Sequence, residues 1–185
     1  MSLNYTELED IRANAVCIHD AASVRRALDR VAADITDRLG ETLPVVLCVL
    51  AGGIIPTGHL LTRLHFPLEI DYLHVTRYRG DTRGKDVQWV CKPGISLEGR
   101  TVLVVDDILD EGHTLASILM HCKQEGAHEV YSAVLIQKLH GRRVPEITAD
   151  YVGLEVDDRY VFGFGMDYKG YLRNLNGIYA LGENS

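Results

Sequence analysis

Apolar residues recur along Ala21–Leu39 at Val24, Leu28, Val31, Ile35 and Leu39, a spacing that lays one stripe along a helix. Ser23 is the expected cap of that helix and Gly40 its stop. From Val45 to Leu50 the pattern changes to an unbroken apolar run between Pro44 and Gly52-Gly53, as in a strand buried on both faces. Ile54–Leu64 predicts a helix, and Leu68–Tyr78 alternates as a strand. Val87–Cys91 predicts another strand, paired with the previous one across the charged loop Arg79–Lys85. Thr101–Val105 is a second buried strand, followed by Gly112 and a helix over Thr114–Gln124 that Gly126 closes. Val130–Gln137 predicts a third, with short strands at Tyr151–Leu154, Tyr160–Phe162 and Gly177–Leu181. Strands alternating with helices predict an α/β fold with a mainly parallel central sheet flanked by helices, as one domain over residues 1–185. Ligands of such sheets sit beyond the C-terminal strand ends, here Ala51–Gly53, Asp106–Thr114 and Lys138.

Composition narrows the class. The 185 residues are 46% hydrophobic and 24% charged, which excludes a disordered tail, a collagen-like fibre and a multi-span membrane protein. A formal charge of -7 repels polyanions, so a nucleic-acid partner would need a local basic patch and a small anionic ligand would need focused positive groups. Cys17, Cys48, Cys91 and Cys122 form no C-x-x-C pair, and Cys48 and Cys122 lie in apolar runs, as buried hydrophobes do. Met1–Asp10 lacks a signal-peptide layout, and Val45–Ala51 is far short of the ~20 residues of a membrane helix. The expectation is a cytoplasmic protein with neither membrane nor nucleic acid as partner.

The candidate chemistry is concentrated in Val102–Leu115, VLVVDDILDEGHTL. A buried strand delivers Asp106 and Asp107, Asp110 follows, and Gly112 turns the chain into a helix whose free N–H groups suit a phosphate. Thr114 adds a hydroxyl. Carboxylates beside a phosphate cradle need another role, and vicinal hydroxyls or a hard cation such as Mg²⁺ supply one.

This unit resembles the 5-phosphoribosyl-1-pyrophosphate motif of the type I phosphoribosyltransferases, a family whose fold adds a small hood, here from the terminal segments. The resemblance implies that Asp106 and Asp107 take the ribose hydroxyls, directly or through Mg²⁺. It assigns Asp110, Glu111, Gly112, His113 and Thr114 to the 5′-phosphate. Where the family usually has Ser or Thr, this chain has Glu111, which is expected to point away while its backbone N–H serves; His113 would offset part of that charge.

Further segments resemble the hypoxanthine-guanine phosphoribosyltransferases, from about Val45 to Leu181: Leu135-Ile136-Gln137-Lys138, Tyr160-Val161, Met166-Asp167-Tyr168 and Arg173. By that resemblance Lys138 donates to the purine 6-oxo group, Tyr160 stacks on the base in place of the usual Phe, and the Val161 carbonyl reads the base edge. Asp167 holds a second Mg²⁺ beside the purine, and Arg173 contacts pyrophosphate. Ala51, Gly52 and Gly53 match the pyrophosphate loop, with Ala51 where many members carry a basic residue and an unusual peptide geometry common in the family. Arg77-Tyr78 stands where the family has Ser-Tyr, at the base of a mobile lid that carries Arg79, Arg83 and Lys85. Asp110 is the expected acceptor of the purine N7 proton.

The reaction so implied passes a phosphoribosyl group from phosphoribosyl pyrophosphate to hypoxanthine or guanine, in a homodimer or homotetramer. A regulator of the same fold that senses nucleotides and binds nucleic acid is the alternative, disfavoured by the acidic chain. A receiver-like signalling domain fits less well, because its paired acids belong at the first strand.

Overall fold

The computed structural model describes residues 3–77 and 87–182. In chain order the elements are helix α1 (Tyr5–Asn14), strand β1 (Val16–His19), α2 (Ala21–Leu39), β2 (Val45–Leu50), α3 (Ile54–Leu61), β3 (Glu69–Arg77), β4 (Val87–Cys91), β5 (Thr101–Leu109), α4 (His113–Gln124), β6 (Glu129–Leu139), β7 (Tyr151–Asp157), β8 (Val161–Phe162) and β9 (Ile178–Ala180). Six strands form the central sheet in the order β4-β3-β2-β5-β6-β7, parallel throughout except for the antiparallel β3–β4 pair.

The unbroken apolar runs follow from burial on both faces, because successive strand residues point to opposite sides. Val45, Leu47 and Val49 of β2, with Val102 and Val104 of β5, pack beneath Leu115, Ile118 and Cys122 of α4. The intervening Val46, Leu103 and Val105 face the stripe of α2, where Val31, Ile35 and Leu39 meet Leu60 of α3. The side chain capping α2 is Asp20, whose carboxylate accepts the Ser23 N–H at 2.7 Å; Ser23 itself lies inside the helix. Helix α3 stops at Leu61, short of the expected Leu64.

A second sheet, β1-β9-β8, is antiparallel and joins the two ends of the chain. It matches the expected hood. Val161, Phe164, Met166 and Ile178 pack there with Val24 and Leu28 of α2 and Ile136 of β6. Helix α1 and strand β1 lie outside the sequence expectation. No residue of α1 is buried, so it has no apolar stripe, and a reciprocal cap between Asn4 and Glu7 starts it.

Candidate active site

Three strand ends converge. The chain leaves β2 through a cis Leu50–Ala51 peptide and turns at Gly52-Gly53 into α3. Both glycines are there because of close approach. A Cβ on Gly52 would lie 2.0 Å from Asp107 Oδ2, and one on Gly53 would lie 2.6 Å from the Val49 carbonyl oxygen and 2.8 Å from that of Val105. The Gly53 N–H donates to the Val49 carbonyl at 2.8 Å, and the Ile54 N–H donates to the Ala51 carbonyl at 3.3 Å.

Strand β5 runs on to Leu109, so Asp106 and Asp107 lie within it rather than beyond it. Asp106 Oδ1 accepts the Asp107 N–H at 2.9 Å. Desolvation pushes the Asp106 carboxyl well up, reinforced by the charge of Asp107; desolvation also raises Asp107, and Arg173 opposes both shifts. Beyond the strand, Gly112 adopts φ 88°, a left-handed conformation that glycine takes without strain, and α4 begins at His113. A cleft of about 340 Å³ opens here, lined by Asp106, Asp107, Asp110, Gly112 and Thr114 among others; Glu111 and His113 are not among its lining residues. The Glu111 carbonyl accepts the Val144 N–H at 2.8 Å.

The adjacent strand, β6, carries Lys138 next to its last residue. Lys138 Nζ donates to Asp110 Oδ2 at 3.1 Å, and His140 Nε2 meets Asp110 Oδ1 at 2.7 Å. Burial opposes ionisation of Asp110, but the hydrogen bonds from His140 and Lys138, with the lysine charge, hold its carboxyl below the usual range. It is held as a carboxylate with both oxygens engaged. His140 was not among the residues singled out from the sequence. Lys138 and His140 are two apart at a strand end, so the period-two rule puts them on one face and was the available signal.

The segment between β8 and β9 approaches Asp107 and the Gly52 turn. Arg173 Nη1 donates to the Gly165 carbonyl at 2.5 Å, its Nη2 lies 2.8 Å from Asp167 Oδ1, and its Nη1 lies 4.0 Å from Asp107 Oδ2. Asp167 Oδ2 accepts the Gly170 N–H at 2.7 Å, so both carboxylate oxygens are engaged. Gly165 presses on the pyrophosphate-type loop, since a Cβ there would lie 2.2 Å from the Gly52 carbonyl oxygen. Tyr160 is 51% exposed, and its hydroxyl donates to the Asp167 carbonyl at 3.0 Å, which satisfies the extra polar group of a tyrosine. Val161 is buried in β8.

The geometry therefore links Gly52, Asp107, Asp167 and Arg173 in one group and Asp110, Lys138 and His140 in another, and one cleft is lined by Asp106, Asp107, Asp110 and Gly112. Arg77 closes β3, whereas Tyr78, Arg79, Arg83 and Lys85 lie outside the described residues. Among the described residues no three His, Cys, Asp or Glu side chains converge as a metal cage made by protein alone would. Burial disfavours ionisation of both Asp106 and Asp107, and the charge of Asp107 adds to this at Asp106, so the pair fits a partial site at which Mg²⁺ shares its ligands with substrate oxygens and water.

Residues 17–169 match the family described as the phosphoribosyl transferase domain. The chain is 31% identical to the hypoxanthine-guanine-xanthine phosphoribosyltransferase of Tritrichomonas foetus over 173 residues, 90% of this chain and 91% of that protein. It is 31% identical to the hypoxanthine-guanine phosphoribosyltransferase of Bacillus subtilis, covering 82% of this chain and 84% of that one. A crystal structure of a hypoxanthine phosphoribosyltransferase from Staphylococcus aureus superposes with a TM-score of 0.87 at 28% identity, covering 99% of this chain and 98% of the other.

Proposed function

Because the chain belongs to the phosphoribosyl transferase domain family, we propose that it is a purine-salvage enzyme. It transfers the 5-phosphoribosyl group from phosphoribosyl pyrophosphate to hypoxanthine or guanine, giving IMP or GMP and pyrophosphate. The observation that carries this reading is the Asp110 carboxylate, held beside Lys138 in the cleft that Asp106, Asp107 and the Gly112 turn also line.

Asp106 and Asp107 meet the ribose hydroxyls, and the amides of the Gly112 turn with Thr114 hold the 5′-phosphate. Ala51, Gly52 and Arg173 face the pyrophosphate. Mg²⁺, held through Asp106 and Asp107 and, near the hood, through Asp167, would neutralise the charge that develops on the departing pyrophosphate. Tyr160 and Val161 receive the base, and Lys138 donates to its 6-oxo group, a bond adenine cannot accept. As a purine nitrogen bonds to ribose C1, the C1–oxygen bond to pyrophosphate breaks and its electron pair leaves with pyrophosphate. Asp110 accepts the proton from N7. Alignment of base, sugar and leaving group supplies most of the rate.

The chain acts as a single domain in a cytoplasmic homodimer or homotetramer; among its described residues no helix is long and apolar enough to cross a membrane. The test is a spectrophotometric assay of hypoxanthine, guanine and xanthine in turn with phosphoribosyl pyrophosphate and Mg²⁺. Turnover is expected with the first two, and no turnover with any base overturns the reading.

A further inference from the structure

His140 is nearly enclosed, its side chain 3% exposed, and it meets Asp110 Oδ1 while Lys138 meets Oδ2. Its other ring nitrogen, Nδ1, accepts the Arg142 backbone N–H at 3.1 Å. A backbone N–H can only donate, so Nδ1 presents its lone pair and the ring hydrogen sits on Nε2, aimed at Asp110. The turn after β6 thereby fixes the tautomer that the carboxylate needs.

The two donors to Asp110 differ in what else they must do. Lys138 Nζ sits on a flexible four-carbon stem and has a second partner waiting in the purine 6-oxo group. His140 has both nitrogens committed, one to the main chain and one to Asp110. We propose that His140 is a positioning residue that holds Asp110 Oδ1 throughout the reaction, so that Oδ2 is the oxygen that Lys138 vacates and that receives the purine proton.

The inference rests on the function proposed above and assigns its proton transfer to one oxygen. On base entry Lys138 Nζ moves from Oδ2 to the 6-oxo group. The N7–H bond then breaks as the Oδ2–H bond forms, while His140 keeps its own hydrogen. A hydrogen bond to the ionised carboxylate favours that form, so losing His140 raises the pH at which Asp110 becomes a base. The other charges facing this cluster are Lys138 on β6, Glu111 before α4, Arg143 donating to the Lys138 carbonyl at 2.9 Å, and the Arg142–Asp158 pair at 2.6 Å.

His140→Leu removes the donor with little change in bulk, whereas His140→Gln can place an amide N–H near the Nε2 position. With saturating phosphoribosyl pyrophosphate and Mg²⁺ across the pH range, H140L should lower kcat by about tenfold or more, as misplacement of a catalytic group does. Its acid limb should move to higher pH while the purine KM changes little, and H140Q should recover most of both losses. A wild-type kcat and acid limb in H140L, or a folded H140Q no better than H140L, overturns the proposal. Asp110→Asn assayed alongside separates the two levels. Full kcat in D110N removes Asp110 as the base, whereas a slow D110N beside a normal H140L removes only His140. Nitrogen-15 spectra of the histidine rings in the unaltered protein test the same point without a variant. Hydrogen on Nε2 alone is expected for His140, and hydrogen on Nδ1 overturns the assignment.

Discussion

At the scale of single residues, two cations assigned to the substrates, Lys138 and Arg173, are already paired with protein carboxylates. Lys138 holds Asp110, and Arg173 bridges Asp167 and the Gly165 carbonyl with Asp107 at its edge. Substrate entry then requires each of these cations to exchange a protein partner for a substrate oxygen. Gly52 governs how closely the pyrophosphate-type loop approaches this arrangement. Gly52→Ala puts a methyl 2.0 Å from Asp107 Oδ2, so the loop or the carboxylate must move. The expected outcome is an increase of about tenfold or more in KM for phosphoribosyl pyrophosphate, with the purine KM little changed, and a stability loss of about 1–3 kcal/mol. Steady-state kinetics with each substrate varied in turn, plus thermal unfolding, check it; a wild-type KM would show that the loop does not serve that substrate. These residues were legible to different degrees. Asp106, Asp107 and Asp110 are visible because one strand-turn-helix unit carries all three. His140 was hidden among the charges of Lys138–Arg143, where composition does not separate it from solvated neighbours and only its spacing of two from Lys138 sets it apart.

At the scale of elements, burial on both faces made β2, β5 and β6 readable, and an interior face made α2 readable. Each fully buried Val, Leu or Ile contributes about 1.5–3 kcal/mol, against about 1 kcal/mol for a helix cap. Several such residues along one element outweigh local signals, so the stripe located α2 even though Ser23 was the wrong cap. Asp20 is the residue at stake. Asp20→Ala removes the acceptor of the Ser23 N–H and should cost about 0.5–2 kcal/mol with kcat unchanged, whereas Ser23→Ala should cost less. Urea denaturation of the two variants distinguishes them, and an equal or larger loss in S23A would contradict the observed cap. Helix α1 and strand β1 were illegible for opposite reasons. Helix α1 is started by its cap and buries nothing. Strand β1 is four residues long and is defined by β9 near the far end of the chain, a pairing that no local pattern encodes.

At the scale of the whole molecule, one titrating group of the fold, His121, lies apart from the chemistry around the central sheet. The cleft uses the C-terminal ends of β2, β5 and β6. On α4, His121 is buried, 8% exposed, against Trp89 of β4 at 4.4 Å between ring centroids, with Lys92 and Glu125 nearby. Burial pushes the His121 ring below its ordinary value of 6.5; the Lys92 charge adds to this and Glu125 opposes it. The folded protein therefore binds this proton less readily than the unfolded chain does. Above the ordinary value both states are neutral and nothing is lost. As pH falls through 6.5 the unfolded chain takes up the proton first, and stability declines until the depressed folded value is passed. His121→Phe keeps a ring against Trp89 and removes the titration. Denaturant unfolding between pH 7.5 and 5 should show the unaltered protein losing more stability than H121F, with the two slopes alike above pH 7. Parallel losses across the whole range would mean that His121 is not responsible. Because His121 lies outside the catalytic cleft, kcat at pH 7.5 should be the same in both proteins, so acid sensitivity of the fold can be separated from the acid limb of catalysis.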